Sequence, residues 1–180
     1  MPRRTERPTL VVRSDDNIGD FTFENVLVAV DLSPASQQVI GAAMHLSGSD
    51  IRRLTVLHAA NRIEAAGAVR NPARWMVPEY RGYVLDEARR QLEAVMPRSI
   101  GTNVKAQIRV AAGPAAETIG AHAADVNADL IVIGRSKRFM HLGSTAVRIL
   151  RSTDRALLVV PPTAAAQTVD AEQAIHKHAA

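Results

Sequence analysis

Val26-Leu27-Val28-Ala29-Val30-Asp31-Leu32-Ser33-Pro34 is the stretch on which the fold turns. Five consecutive apolar residues predict a strand covered on both faces, since a half-exposed strand would alternate apolar with polar. Asp31 stops the run, and Ser33-Pro34 reads as a helix N-cap followed by proline at the first helical position. Val39-Ile40, Ala43 and Met44 then form an apolar stripe that closes before Ser47-Gly48. A buried strand feeding a helix is half of a β-α-β unit, and the rest of the chain repeats the pattern.

Residues 54–59 predict a second buried strand, followed by a long connection through 60–77 that carries Gly67, Pro72, Trp75 and Met76. A long helix is expected from Pro78-Glu79 to Pro97, with Val84, Leu85, Ala88, Leu92 and Val95 on one face. Val104, Ala106, Ile108 and Val110 alternate with polar residues, which predicts a third strand at a sheet edge. Gly113-Pro114 opens a further helix through Ile119 and Val126. Leu130-Ile131-Val132-Ile133, stopped by Gly134, is a fourth strand, and 156–160, stopped by Pro161-Pro162, is a fifth. A short helix beginning near Gly143-Ser144-Thr145 lies between them. Strands alternating with helices imply right-handed crossovers and a mostly parallel sheet, so the expected fold is an α/β three-layer sandwich. Residues 1–22 are read as a flexible leader, 23–162 as the domain and 163–180 as a tail.

Composition narrows the function classes. With 180 residues, 47% hydrophobic and 22% charged, the chain suits one globular domain. No apolar run reaches the roughly 18 residues of a membrane span, and MPRRTERPTL has no secretory core, so a soluble, cytoplasmic protein is expected. Zero cysteines exclude disulfides, thiol nucleophiles and Cys-containing zinc sites, and the six scattered histidines suggest no metal site. The net charge of +4 is concentrated between 135 and 155, where Arg135, Lys137, Arg138, Arg148, Arg151 and Arg155 face only Asp154. Aromatic stacking platforms are scarce, with six aromatics in the chain, so nucleic-acid binding through this basic locus ranks last among the readings.

Ligands of open α/β sheets sit beyond the carboxyl ends of the strands, where strand order reverses. That rule points to Asp31, Gly113, Gly134 and Gly143-Ser144-Thr145. An aspartate can accept hydrogen bonds from a ribose diol, and glycines at a helix N-terminus let backbone N–H groups approach phosphate. The same residues also serve as a capping aspartate, a strand-end turn and an ordinary N-cap, and spacing does not separate the two readings. His141 is the nearest titratable candidate for a general base, but it has no visible partner, and no carboxylate follows the loop until Asp154.

FENVLVAVDLSPAS at 23–36, LTVLHA at 54–59, AAGPAAETIGAHAADVNADLIVIG at 111–134 and HLGSTAVRILRSTDRALLVVPP at 141–162 together resemble the universal stress protein family. The resemblance covers about residues 23–162. It implies a Rossmann-like five-stranded parallel sheet, ordered 3-2-1-4-5 when those strands are counted from the N-terminus, and a homodimer through the last strand. It also implies a division between members that bind ATP and members that do not. Asp31, Gly134 and Gly143-Ser144 match the binders' pattern, with Thr145 beside them. Lys137 stands where the binders have a second glycine, and the stretch from Gly134 to Gly143 is four residues shorter than theirs. Arg135, Lys137 and Arg138 remain as anion contacts that charge-assisted bonds would suit.

The leading expectation is therefore a non-enzymatic stress-response regulatory module, dimeric, acting through an unidentified regulatory protein partner or a small ligand, with no obligatory cofactor. The alternative is an ATP-binding switch, taking ATP with magnesium, in which Asp31 holds ribose and Gly134, Gly143, Ser144 and Thr145 hold phosphate. The third is a nucleic-acid-associated protein using Arg135, Lys137, Arg138, Arg148 and Arg151.

Overall fold

A computed structural model describes residues 7–12, 22–60, 78–97, 100–135 and 143–162. In chain order the elements are β1 (Thr9–Val11), β2 (Asn25–Ala29), α1 (Ser36–Ser47), β3 (Arg53–Ala60), α2 (Pro78–Val95), β4 (Lys105–Ala112), α3 (Ala115–Asp125), β5 (Leu130–Gly134), α4 (Ser144–Ser152) and β6 (Ala156–Val160). They form one six-stranded sheet ordered β1-β6-β5-β2-β3-β4. The five strands β2 to β6 run parallel to their neighbours, and β1 is antiparallel to β6.

The strands alternate between two cores. Val26, Val28 and Val30 face one side with Leu54, Val56, Leu130, Val132, Leu158 and Val160, where Val39 and Ile40 of α1 and Leu92 of α2 cover them. Leu27, Ala29, Leu57, Ile131, Ile133, Leu157 and Val159 face the other side, under Ile119 of α3 and Ile149 of α4. Burial on both faces explains why these strands read as continuous apolar runs. β4 lies at the edge, with Lys105 and Ala106 exposed, in keeping with its alternating sequence. Asp129 ties the sheet at its lower end: Oδ2 accepts the backbone N–H of Glu24 (2.9 Å) and of Asn25 (2.7 Å), joining the entrance of β2 to that of β5.

The structure corrects the expected sheet. It has six strands, not five, it is not wholly parallel, and its order differs from the expected one by β1. Thr9–Val11, placed by the sequence reading in a flexible leader, is an ordered strand paired along β6. Three residues are too few to show a period, so local sequence does not distinguish such a strand from loop; pairing with a distant apolar edge decides it. α1 is also shorter than expected, starting at Ser36 with Ala35 at the N-cap. Asp31 Oδ1 accepts the Ser33 N–H at 3.1 Å, and this local turn takes the place of the anticipated first helical residues.

Candidate functional site

The parallel crossover connections bring the carboxyl ends of β2, β3 and β5 to one rim of the sheet, together with the starts of α1, α3 and α4. Between them lies a cleft of roughly 330 Å³, at the lower end of the range for small-molecule sites. Asp31, Gly134, Arg135, Gly143, Ser144 and Thr145 all line it. These six thus meet in one place, although Asp31 is far from the others in sequence, whereas Gly113, which the same rule singled out, does not line the cleft. Lys137, Arg138 and His141 lie outside the described residues, as do Trp75 and Met76. Arg148 and Arg151 sit further along α4 and do not line the cleft.

Each wall has a local cause. Val30 continues from β2 with its N–H donated to the Leu57 carbonyl (2.9 Å), which carries Asp31 to the rim. Leu32 follows with φ 60°, in the left-handed region, and tucks its side chain against the core. A leucine held there costs of order 1–2 kcal/mol, a local strain next to the Asp31 carboxylate. Asp31 is exposed, and its turn bond to Ser33 orients the carboxylate at the mouth of the cleft. Gly134 ends β5 where a Cβ would come within 3.2 Å of Val39 Cγ2, so the β5 terminus and α1 approach closely because the side chain is missing. Arg135 donates its backbone N–H to the Val160 carbonyl at 2.8 Å, fixing where the chain leaves the sheet.

Helix starts supply the electrostatics. α4 begins at Ser144 with Gly143 at its N-cap, no side chain caps it, and no acid lies in its first turn. Its first N–H groups are therefore free of intrahelical partners and carry the positive end of the helix dipole. Ser144, Thr145 and Ala146 place that end on the cleft, while Ala35 and Ala115 bring the starts of α1 and α3 to the same space. Asp31 is the one carboxylate among the described lining residues. No group of three or more His, Asp or Glu able to hold a metal ion occurs among the described residues.

His58 is a polar residue of the cleft that the sequence analysis did not single out. It lies at the end of β3, is buried at 7% exposure, and lines the cleft. Its Nδ1 is 2.9 Å from the Val30 carbonyl oxygen. A carbonyl only accepts, so Nδ1 carries the proton in this contact. The signal available in sequence was a polar residue inside an apolar strand, which has several explanations until the cleft is seen.

An α/β sheet with its cleft at the carboxyl ends of the strands, an aspartate on one side and a glycine-led helix start on the other, defines the Rossmann-like class of α/β folds. The profile described as "Universal stress protein family" matches residues 22–161, and the chain belongs to that family. It is 28% identical over 147 residues to universal stress protein YxiE of Bacillus subtilis (strain 168), an alignment covering 77% of this chain and 99% of that one. Among solved structures it resembles MJ0577 (TM-score 0.64, 18% identity, 79% of this chain and 99% of that one). It also resembles UspA from Lactobacillus plantarum (TM-score 0.54, 22% identity, covering 78% and 99%). A universal stress protein in complex with cAMP is similar in fold at TM-score 0.50 and 19% identity, covering 78% of this chain and 98% of that one. No described helix is long and apolar enough to cross a membrane.

Proposed function

We propose that this member of the family is a non-enzymatic stress-response regulatory module whose cleft takes an anionic ligand of the nucleotide class. The observation that carries the reading is the meeting of Asp31 with the uncapped start of α4 across one cleft. Asp31 is placed to accept hydrogen bonds from a ribose diol. The first N–H groups of α4, with the Ser144 and Thr145 hydroxyls, offer donors to a phosphate, and Arg135 adds a charge-assisted contact. Gly134 and Gly143 are only nine positions apart in sequence, a shorter stretch than the ATP binders' pattern, which suits a phosphate close to the ribose better than an extended triphosphate. The cAMP complex of a protein of this fold supports the same ligand class. Binding would alter the module's affinity for a regulatory protein partner, with no chemical step at the cleft.

The second reading is an ATP-binding switch, favoured by Gly143-Ser144-Thr145 standing at the start of α4. Titration calorimetry of nucleotide-stripped protein with AMP, cAMP and ATP plus magnesium separates the two. The proposal expects a micromolar site for AMP or cAMP, lost in Asp31→Ala, and no release of phosphate from ATP. Tighter ATP binding than AMP binding establishes the second reading, and silence from all three up to millimolar ligand rejects the nucleotide class. A ligand present at 100 times its Kd should also stabilise the fold by about 2.7 kcal/mol, which a melting curve detects.

A further inference from the structure

The two edges of the sheet are finished differently. β1 is three residues long, with Arg7 and Pro8 just before it, and a short edge beside a charge and a proline resists further pairing. β4 closes the other side with eight residues in unbroken register against β3, from Arg53 opposite Lys105 to Ala60 opposite Ala112. It carries no proline, and it is longer than the usual strand of about 5–6 residues.

The ladder decides which backbone groups β4 leaves open. In a parallel pair the N–H and C=O of one residue point to the same neighbour. Lys105 donates to the Arg52 carbonyl at 2.8 Å and Gly113 to the Ala60 carbonyl at 3.1 Å, so residues 105, 107, 109 and 111 bond β3. Ala106, Ile108, Val110 and Ala112 therefore turn their N–H and C=O groups outward, where no described strand meets them. The side chains divide in the same rhythm. Ile108 and Val110 pack, half-buried, against one core. On the opposite face stand Lys105, Gln107 and Arg109. Arg109 is engaged by Asp125, and Gln107 donates to Thr55 Oγ1 at 2.7 Å. Lys105 is exposed directly across from Arg53, also exposed, and neither forms an ion pair with a described residue. Like charges placed opposite each other destabilise a sheet, so this end of the edge lacks an acid.

We propose that the outer edge of β4 is a docking edge for a protein partner, which adds an extended acidic segment to the six-stranded sheet as a further strand. Such strand addition draws affinity from main-chain bonds and specificity from alternate side chains. The segment that fits has acids on the face of Lys105 and Arg53, and apolar side chains on the face of Ile108 and Val110. A second copy of β4 fits poorly, because it brings the same cations to the contact. Residues 105–112 do not line the cleft, so the docking edge does not depend on the ligand reading of that site.

The test uses the full chain and a synthetic peptide alternating glutamate with valine, with a lysine–valine peptide of equal length as its control. Amide hydrogen exchange is read first, by NMR. In the free protein the amides of Ala106, Ile108, Val110 and Ala112 should exchange rapidly while those of Gln107 and Arg109 are protected, and saturating glutamate peptide should slow the outward set by about tenfold or more. Outward amides that are already slow in the free chain, or that the peptide leaves unchanged, overturn the proposal. In fluorescence titrations Lys105→Glu should weaken binding of the glutamate peptide about tenfold, by reversing the cross-strand charge. Ala106→Pro removes an outward donor without touching the β3 ladder and should weaken binding at least as much. Three further results overturn the proposal: glutamate peptide binding no more tightly than lysine peptide, a single-stranded oligonucleotide binding in preference to both, or unchanged affinity in either variant. Should Ala106→Pro fail to fold, as judged by circular dichroism, the exchange pattern of the native chain and the Lys105→Glu titration decide.

Discussion

Gly113 and Gly143 look alike in sequence, each preceding a helix, yet the structure gives them opposite requirements. Gly113 has φ 153°, and a Cβ there would stand 2.7 Å from Thr118 Oγ1. Gly143, the N-cap of α4, has φ −58° and open space around its Cβ position. Gly113→Ala should therefore lower unfolding free energy by about 1–3 kcal/mol in a urea titration, through a conformation nearly reserved for glycine. Gly143→Ala should leave the urea midpoint within the scatter of surface substitutions, about 0.5 kcal/mol. Any loss of ligand affinity in Gly143→Ala would then report the cleft itself. Glycine spacing was visible in the sequence, but φ is imposed by the chain on either side, so which glycine is structurally required was not.

At the scale of elements, α2 shows how an amphipathic stripe converts into energy. Leu92 is fully buried at 0% exposure, whereas Tyr83, one of the few aromatics, stands 62% exposed on the same helix. Leu92→Ala should cost about 2–5 kcal/mol by leaving a cavity against β3 and β4, and Tyr83→Ser should be close to neutral. The exposed face carries Arg89 with Glu93 at 3.3 Å and Glu87 bonded to Gln91 and Arg90. Those donors, Gln91 first, hold the Glu87 carboxyl below its usual range, but pairs this open to solvent contribute little to stability. The strand entrances depend on one side chain more. Asp129 holds the starts of β2 and β5 through two backbone N–H groups, each a charge-assisted bond. Asp129→Ala should destabilise by about 1.5–3 kcal/mol, the worth of a hydrogen bond to a charged group, and Asp129→Asn should recover part of that. Leu92 was legible from periodicity; Asp129 was not, because its partners at 24 and 25 are distant in sequence.

For the whole molecule, the edge strand β4 and helix α3 are clasped by Arg109, which donates to Asp125 and, at 3.2 Å, to His122 Nδ1. The Arg109 hydrogen bond, then its charge, holds the Asp125 carboxyl below the ordinary aspartate range. A lowered folded-state value means that the ionised carboxylate favours the fold. That contribution is present above the ordinary range and is lost as pH falls through the lowered one. Melting temperature measured against pH should therefore fall less steeply in acid for Asp125→Asn than for the native chain, by a small margin because Asp125 is exposed. An unchanged acid limb would show that the clasp carries no stability. The basic locus, in contrast, is divided by the fold: Arg135 faces the cleft while Arg148 and Arg151 ride on α4. A charge cluster in sequence need not be one patch in space.

Local sequence determined the elements β2 to β6 and the helices between them, since apolar runs, apolar periodicity and Gly or Pro stops act within a few residues. It also determined that Asp31, Gly134 and Gly143 to Thr145 would stand at strand ends and helix starts. Their meeting in one cleft, the turn of His58 toward that cleft and the strain at Leu32 were decided only when crossovers folded distant segments onto a common rim. The pairing of Thr9-Leu10-Val11 with β6 belongs to the same class. A strand of three residues has no stable form alone, so its existence depends on an apolar edge that the rest of the chain must first assemble.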